Sequence, residues 1–140
     1  MSGRFFLDTN VFVYLLDQTA PAKSRRAREL VRQAIARRNG IVSYQVIQEF
    51  LNVALRRFSS PMPIPDAEHF LSAVFKPLLA VYPSMALYAE ALRLGAKHGF
   101  AWYDSLIVAS ALEGRCELLY SEDFQHGLRC GDLKIENPFR

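Results

Sequence analysis

Short apolar runs alternate with helix-forming segments along nearly the whole chain, and that alternation restricts the fold more than any other feature. Arg4-Phe5-Phe6-Leu7-Asp8 reads as a buried strand, continuous in apolar and aromatic residues. Val11 to Leu16 predicts a short helix leaving it. Pro21 suits a first helical turn, and the segment that runs to Arg38 carries Ala27, Leu30, Val31, Ala34 and Ile35 at helical spacing. Asn39-Gly40 is the expected stop. Ile41-Val42 follows as a strand, with Ser43 as cap of a helix from Tyr44 to about Phe58. Ser59 to Pro65 is a Pro-rich loop, and Asp66 is expected to cap a helix ending near Pro77. Leu79-Ala80-Val81 reads as a third strand. Ser84 caps Met85 to His98, closed by Gly99, and Gly114 closes Trp102 to Glu113. Glu117 to Tyr120 is a fourth strand and Leu133-Lys134-Ile135 a candidate fifth. Strands separated by helices predict an α/β fold with a mostly parallel central sheet of four to five short strands, covered on both faces. No repeat, low-complexity tract or linker divides residues 1–140, which read as a single domain.

Composition removes several classes. The chain has 140 residues, 51% of them apolar, enough to bury a core without disulfides or structural metal. Cys116 and Cys130 are lone thiols without CxxC or His spacing, and read as reduced and incidental to function. The longest uncharged stretch, Pro77 to Ala89, is interrupted by Pro83, whereas a membrane span needs roughly 20 apolar residues. Asp8 and Asn10 break the apolar N-terminal run, and neither a basic leader nor a small-residue cleavage site brackets it. The expectation is a mature cytoplasmic chain with no membrane segment.

Charge is uneven. Seven basic residues and one acid, Glu29, lie between Lys23 and Arg38, while the rest of the chain is net acidic. A basic segment on an acidic body suits a polyanionic partner such as nucleic acid, and 13 of the 17 basic residues are Arg, whose planar fork matches phosphate. A solvated helix face is the alternative reading.

The carboxylates sit where a parallel sheet puts its chemistry, outside the carboxyl ends of its strands. Asp8 ends the first strand and Asp123 lies just past the fourth. Asp104 opens the helix that begins Trp102-Tyr103-Asp104-Ser105, and Glu49 lies about one and a half turns into the helix after the second strand. Each has a local alternative: a turn or cap for Asp8 and Asp123, a dipole-stabilised N-terminal acid for Asp104, a solvated helix residue for Glu49. Their joint placement favours a site. Two unit charges 4 Å apart repel by roughly 4 kcal/mol at an effective dielectric of 20, so clustered carboxylates need protons or cations. An all-oxygen set selects Mg²⁺ or Mn²⁺ over zinc, ions that hold phosphates and activate water for in-line attack at phosphorus.

Four segments together carry a family resemblance. Phe6-Leu7-Asp8-Thr9-Asn10-Val11-Phe12, Glu49 in its helix, Trp102-Tyr103-Asp104-Ser105-Leu106-Ile107, and Leu119-Tyr120-Ser121-Glu122-Asp123-Phe124 resemble, in order, the four acidic motifs of the PIN-domain family. The chain looks most like its small stand-alone members, the VapC-like ribonuclease toxins of toxin–antitoxin pairs. The resemblance implies a three-layer α/β/α fold and a Mg²⁺- or Mn²⁺-dependent endoribonuclease. It also implies a protein antitoxin that plugs the acidic groove, and a homodimer. Asp8, Glu49, Asp104 and Asp123 take the metal-site and catalytic positions. Asn10 and Ser121 take positions that orient those acids, Ser121 standing where Thr is usual. Glu122 is an accessory acid outside that set. Arg25, Arg28 and Arg32, with Arg37, lie off the apolar stripe of their helix and are expected to contact RNA backbone.

Other features carry less. His69, His98 and His126 show no ligand spacing, and His126 reads as a loop residue. Trp102-Tyr103 could stack bases, although core or interface is the commoner role of aromatics entering an apolar helix. Met85, Tyr88, Leu92 and Ala96 share a helical face, as core or as a dimer seam. Two other functions fit part of the pattern. A phosphatase using Asp8 as nucleophile wants a general acid two residues on, where Asn10 stands. A non-catalytic RNA-binding domain would not need all four acids.

Overall fold

The computed structural model describes residues 3–56 and 60–140. Among these, six strands form one sheet: β1 (Phe5–Leu7), β2 (Gly40–Ser43), β3 (Leu79–Val81), β4 (Leu118–Tyr120), β5 (Arg129–Cys130) and β6 (Leu133–Glu136). Their order is β3-β2-β1-β4-β6-β5, parallel throughout except for β5, which runs antiparallel to β6. The sheet thus has one strand more than the expected four to five. The extra strand, β5, is a two-residue partner in a hairpin turned by Gly131 at φ 60°, too short to carry a period of its own.

Chain order from β1 to β3 runs one way across the sheet and from β4 onward the other. Right-handed crossovers therefore place the intervening helices on opposite faces. One layer holds α1 (Thr9–Leu16), α2 (Pro21–Arg37), α3 (Tyr44–Arg56) and α4 (Ile64–Phe70). The other holds α6 (Met85–His98) and α7 (Trp102–Glu113), packed on each other, with α7 also against β4. The sheet is buried between them, with Phe6, Leu7, Val42, Leu119 and Ile135 fully enclosed. This is the three-layer mixed α/β arrangement that the strand–helix alternation predicts. Among the described residues no helix is long and apolar enough to cross a membrane.

Four local readings change. The α2 helix stops with Arg38, not Gly40, in the left-handed region at φ 54°. Gly40 instead begins β2, where a Cβ would stand 2.2 Å from that of Ala34 and 2.9 Å from the Phe5 ring, so its absence lets α2 lie close on the sheet. Ser43 ends β2 and makes no cap; its hydroxyl has no hydrogen-bond partner. Pro63, not Asp66, occupies the N-cap of α4, and Asp66 falls in the first turn. Pro77 does not end that helix, which continues through a π-helical segment (Leu71–Phe75) into α5 (Lys76–Leu78). The Lys76 N–H reaches back five residues to Leu71 O, and this wider turn makes room for a proline inside the helix. The expected end of α3 near Phe58, and Ser59 of the following loop, lie outside the described residues.

Candidate active site

The reversal of strand order falls between β1 and β4, and in open α/β sheets the crevice at such a point is where ligands bind. Asp8 follows β1 directly and caps α1, its Oδ1 accepting the Thr9 N–H at 2.7 Å. Ser121, fully buried just past β4, donates its hydroxyl to Asp8 Oδ2 at 2.7 Å and accepts the Asp123 N–H at 3.1 Å. One hydroxyl thus ties the acids of two neighbouring strands together.

Glu49 reaches this edge from α3. Its Oε1 accepts the Thr9 hydroxyl at 2.6 Å and its Oε2 accepts the Gln45 amide at 3.3 Å. Gln45 lies one turn earlier on α3 and also donates to Tyr103 O at 3.1 Å. Tyr103 precedes Asp104 in the first turn of α7, so Gln45 links the second acid to the backbone of the third. Asp104 and Asp123 line one cleft of about 370 Å³.

Three of these carboxylates are raised by burial and by the charge of neighbouring acids. Burial, then the charges of Asp123 and Glu49, push Asp8 up to about 7 against the opposing hydrogen bonds from Ser121 and Thr9. Burial and the Glu49 charge raise Asp104. Burial, Asp104, Glu122 and Glu49 raise Asp123. Such a cluster is short of positive charge. Separated acids with shifted protonation in a cleft are a recognised mark of functional sites.

The expected site residues therefore divide. Asp8, Glu49, Asp104 and Asp123 converge, and Ser121 stands between two of them. Asn10 sits in the first turn of α1 with both amide atoms buried and unpartnered. Glu122 turns from the cluster: it accepts the Tyr14 hydroxyl at 2.6 Å and pairs with Lys23 at 3.5 Å. That pairing holds the start of α2 beside the Asp123 loop. Arg25, Arg28 and Arg32 are exposed on α2, whereas Arg26 is engaged with Glu29, Tyr120 and Pro138 O. His126 is a loop residue whose Nδ1 accepts the Asn137 N–H at 3.0 Å. The stripe on α6 is not core, since Met85 and Leu92 are 86% and 64% exposed. Tyr88, exposed as well, sets its ring edge-on to Trp102. Sequence reasoning missed Thr9 and Gln45. The available signals were a hydroxyl next to the first acid and an amide four residues before Glu49, on its helix face.

Among the described residues no three carboxylate, imidazole or thiol groups form a ready-made metal cage. That is compatible with Mg²⁺, which keeps several waters and takes one or two carboxylates together with substrate phosphates. The all-oxygen donors, the mutual repulsion of the acids and the orphaned Asn10 amide fit such a hard cation.

The PIN domain family model matches residues 5–127. No curated protein sequence matches the chain. Among solved structures, FitAcB from Neisseria gonorrhoeae superposes with a TM-score of 0.65 at 21% identity, over 96% of this chain and 98% of that one. A toxin–antitoxin complex from Klebsiella pneumoniae gives 0.65 at 15%, over 95% and 96%. Mycobacterium tuberculosis VapC20, described as a sarcin–ricin loop cleaving toxin, gives 0.60 at 16%, over 85% and 89%. At these identities the likeness is one of fold.

Proposed function

The chain belongs to the PIN-domain family, and from that premise we propose that it is a divalent-metal-dependent endoribonuclease, the toxin of a toxin–antitoxin pair. The observation that carries the reading is the convergence of Asp8, Glu49, Asp104 and Asp123 at the switch point of the sheet, mutually repelling and partly buried. Asp8, Asp104, Asp123 and Glu49 are the groups to hold Mg²⁺ or Mn²⁺. The bound ion supplies charge neutralisation at the scissile phosphate and a more acidic water for in-line attack. Ser121 and Thr9 fix the rotamers of Asp8 and Glu49, and Gln45 keeps Glu49 beside the N-terminus of α7. Asn10 offers a spare amide to water or phosphate at the same edge. Outside the site, Arg25, Arg28 and Arg32 supply sequence-independent attraction for RNA backbone.

A cognate antitoxin is the protein partner in this reading, and the structural neighbours include such complexes. It would present cations to the acid cluster. The exposed apolar face of α6 carrying Met85, Leu92 and Ala96 is the surface on which a homodimer closes. The setting is the cytoplasm, where RNA substrates are.

The test joins two readouts. With Mg²⁺ or Mn²⁺ the protein should cut RNA to leave 5′-phosphate and 3′-hydroxyl ends, and the same ions should raise its melting temperature by binding the folded state. Asp104→Asn should remove cleavage and shrink the melting shift. Full cleavage in EDTA, or 2′,3′-cyclic phosphate products, would overturn the mechanism.

A further inference from the structure

A second cavity, of about 270 Å³, opens at the same sheet edge beyond the ends of β2 and β3. Its walls are aromatic: Tyr44, Tyr82, Trp102 and Tyr103 all line it, and each is partly open to solvent, Tyr103 the most so at 64%. The aromatic pair that opens α7 is therefore not core. Tyr44 and Tyr82 meet edge to face with ring centres 5.0 Å apart.

Two polar side chains that also line the cavity each carry one unpartnered oxygen. Ser43 is 3% exposed, Gln45 is 8% exposed, and the Ser43 hydroxyl and Gln45 Oε1 have no hydrogen-bond partner. The Gln45 amide is not free to turn over, because its nitrogen already donates to two acceptors, Glu49 Oε2 and Tyr103 O. The cavity consequently presents a fixed acceptor and a hydroxyl that can donate or accept, between aromatic walls. Groups left unpaired in a buried position call for a ligand that supplies the missing bonds.

We propose that this cavity is a nucleobase pocket, taking one unpaired base of the RNA next to the scissile phosphate. The chemistry required is a flat π-surface for the aromatic walls and an N–H beside an acceptor for Gln45 Oε1 and the Ser43 hydroxyl. The Watson–Crick edge of a base offers that pairing, and only when the base is not already paired. The volume, just below the roughly 300–1,000 Å³ of sites for larger ligands, suits a single ring system. The pocket adjoins the acids, since Gln45 lines it and donates to Glu49, and Tyr103 is followed by Asp104. The proposal rests on the ribonuclease reading above.

Trp102 is the chain's single tryptophan and lines the pocket, so its fluorescence reports occupancy directly. The titration uses the full chain carrying Asp104→Asn, which keeps RNA intact, and a single-stranded hexaribonucleotide. Saturable quenching is expected with the single strand. It should be absent with the same sequence in a duplex, and absent with a hexamer of abasic ribose phosphates. Tyr82→Ala should weaken binding at least fivefold by removing a stacking surface. Ser43→Ala should weaken it roughly three- to tenfold with the melting temperature unchanged or raised, because the hydroxyl it removes has no partner in the folded protein. Absence of quenching by the single strand, equal quenching by the duplex, or unchanged affinity in both variants overturns the pocket. Emission that follows protein concentration instead of RNA assigns the surface to a second copy of the chain and overturns it too. Cleavage by the unsubstituted protein is scored separately: cutting without quenching sinks the pocket alone, whereas quenching without cutting sinks the nuclease reading and leaves a base-binding site.

Discussion

Replacing Asp8 by Asn should stabilise the metal-free protein while ending its activity. Asp8 is 4% exposed, and its carboxyl is raised from 3.8 to about 7 chiefly by burial. In the folded state it holds its proton to higher pH than in the unfolded state, so the folded form binds more protons between those two values. Stability is then lost as pH rises through that window and is fully diminished above about pH 7. The gap corresponds to roughly 4 kcal/mol at about 1.4 kcal/mol per pH unit. Asn keeps a carbonyl to accept the Thr9 N–H, and Ser121 can rotate its hydroxyl to accept the new amide. The neutral side chain therefore escapes most of the cost. Urea unfolding in EDTA should show the advantage of Asp8→Asn growing by about 1.4 kcal/mol per unit from about pH 4 to pH 7, then levelling off. At about pH 8 the melting temperature should stand roughly 10 °C above that of the unsubstituted protein. Saturating Mg²⁺ should narrow the difference by stabilising the unsubstituted protein alone. A difference that does not change with pH, or a variant less stable at pH 8, would refute the reasoning: the Asp8 charge would then be compensated within the protein itself.

Gln45→Leu should cost about 1–3 kcal/mol, because it leaves Tyr103 O without its donor. It should also lower kcat roughly 10- to 100-fold by freeing Glu49, which chemical denaturation and single-turnover cleavage would measure. Arg25→Gln, Arg28→Gln and Arg32→Gln together should weaken RNA binding across sequences. The slope of log affinity against log salt should fall by roughly 0.7–0.9 for each phosphate no longer neutralised, with the Mg²⁺ melting shift intact. An unchanged slope assigns α2 to solvent or to the protein partner.

Much of this is readable in the chain because the governing signals are local. Phe5-Phe6-Leu7 is buried on both faces of a parallel sheet and so reads as an unbroken apolar run, and Asp8 ends it because the strand ends there. Ser84 and Gly99 bound α6 by capping chemistry that acts within four residues. What is not readable is non-local. Gly40 looks like a helix stop until Ala34 and Phe5 are seen against it, and Ser43 looks like a cap until its hydroxyl is found unpartnered. Thr9 meets Glu49 across 40 residues and Gln45 meets Tyr103 across 58; no window along the chain contains either pair. Pro77 misleads for a third reason, since the π-helical segment that accommodates it has no compositional signature.

The failures of local rules are not scattered. Among the described residues, the buried side-chain atoms without partners belong to Asn10, Ser43, Gln45 and, at the other end of the strands, Asn39. The first three share the carboxyl edge of the sheet with Asp8, the carboxylate whose burial costs most. A core optimised for stability alone would pair or remove such groups, since each unmet polar atom costs about 1–3 kcal/mol. Concentrating them on one edge is what a preorganised binding surface requires: donors, acceptors and charge fixed in place before the ligand arrives, and satisfied by it. The two halves of that edge differ in what they lack. Around Asp8, Glu49, Asp104 and Asp123 the deficit is positive charge, which a divalent cation and its phosphate complete. Around Ser43 and Gln45 the deficit is hydrogen bonds between aromatic walls, which a cation cannot supply and a nucleobase can. Gln45 sits on the boundary, its nitrogen committed to Glu49 and its buried oxygen left without a partner beside the second cavity. A base that binds that oxygen therefore pulls on the same side chain that positions Glu49, so occupancy of one half should alter the other.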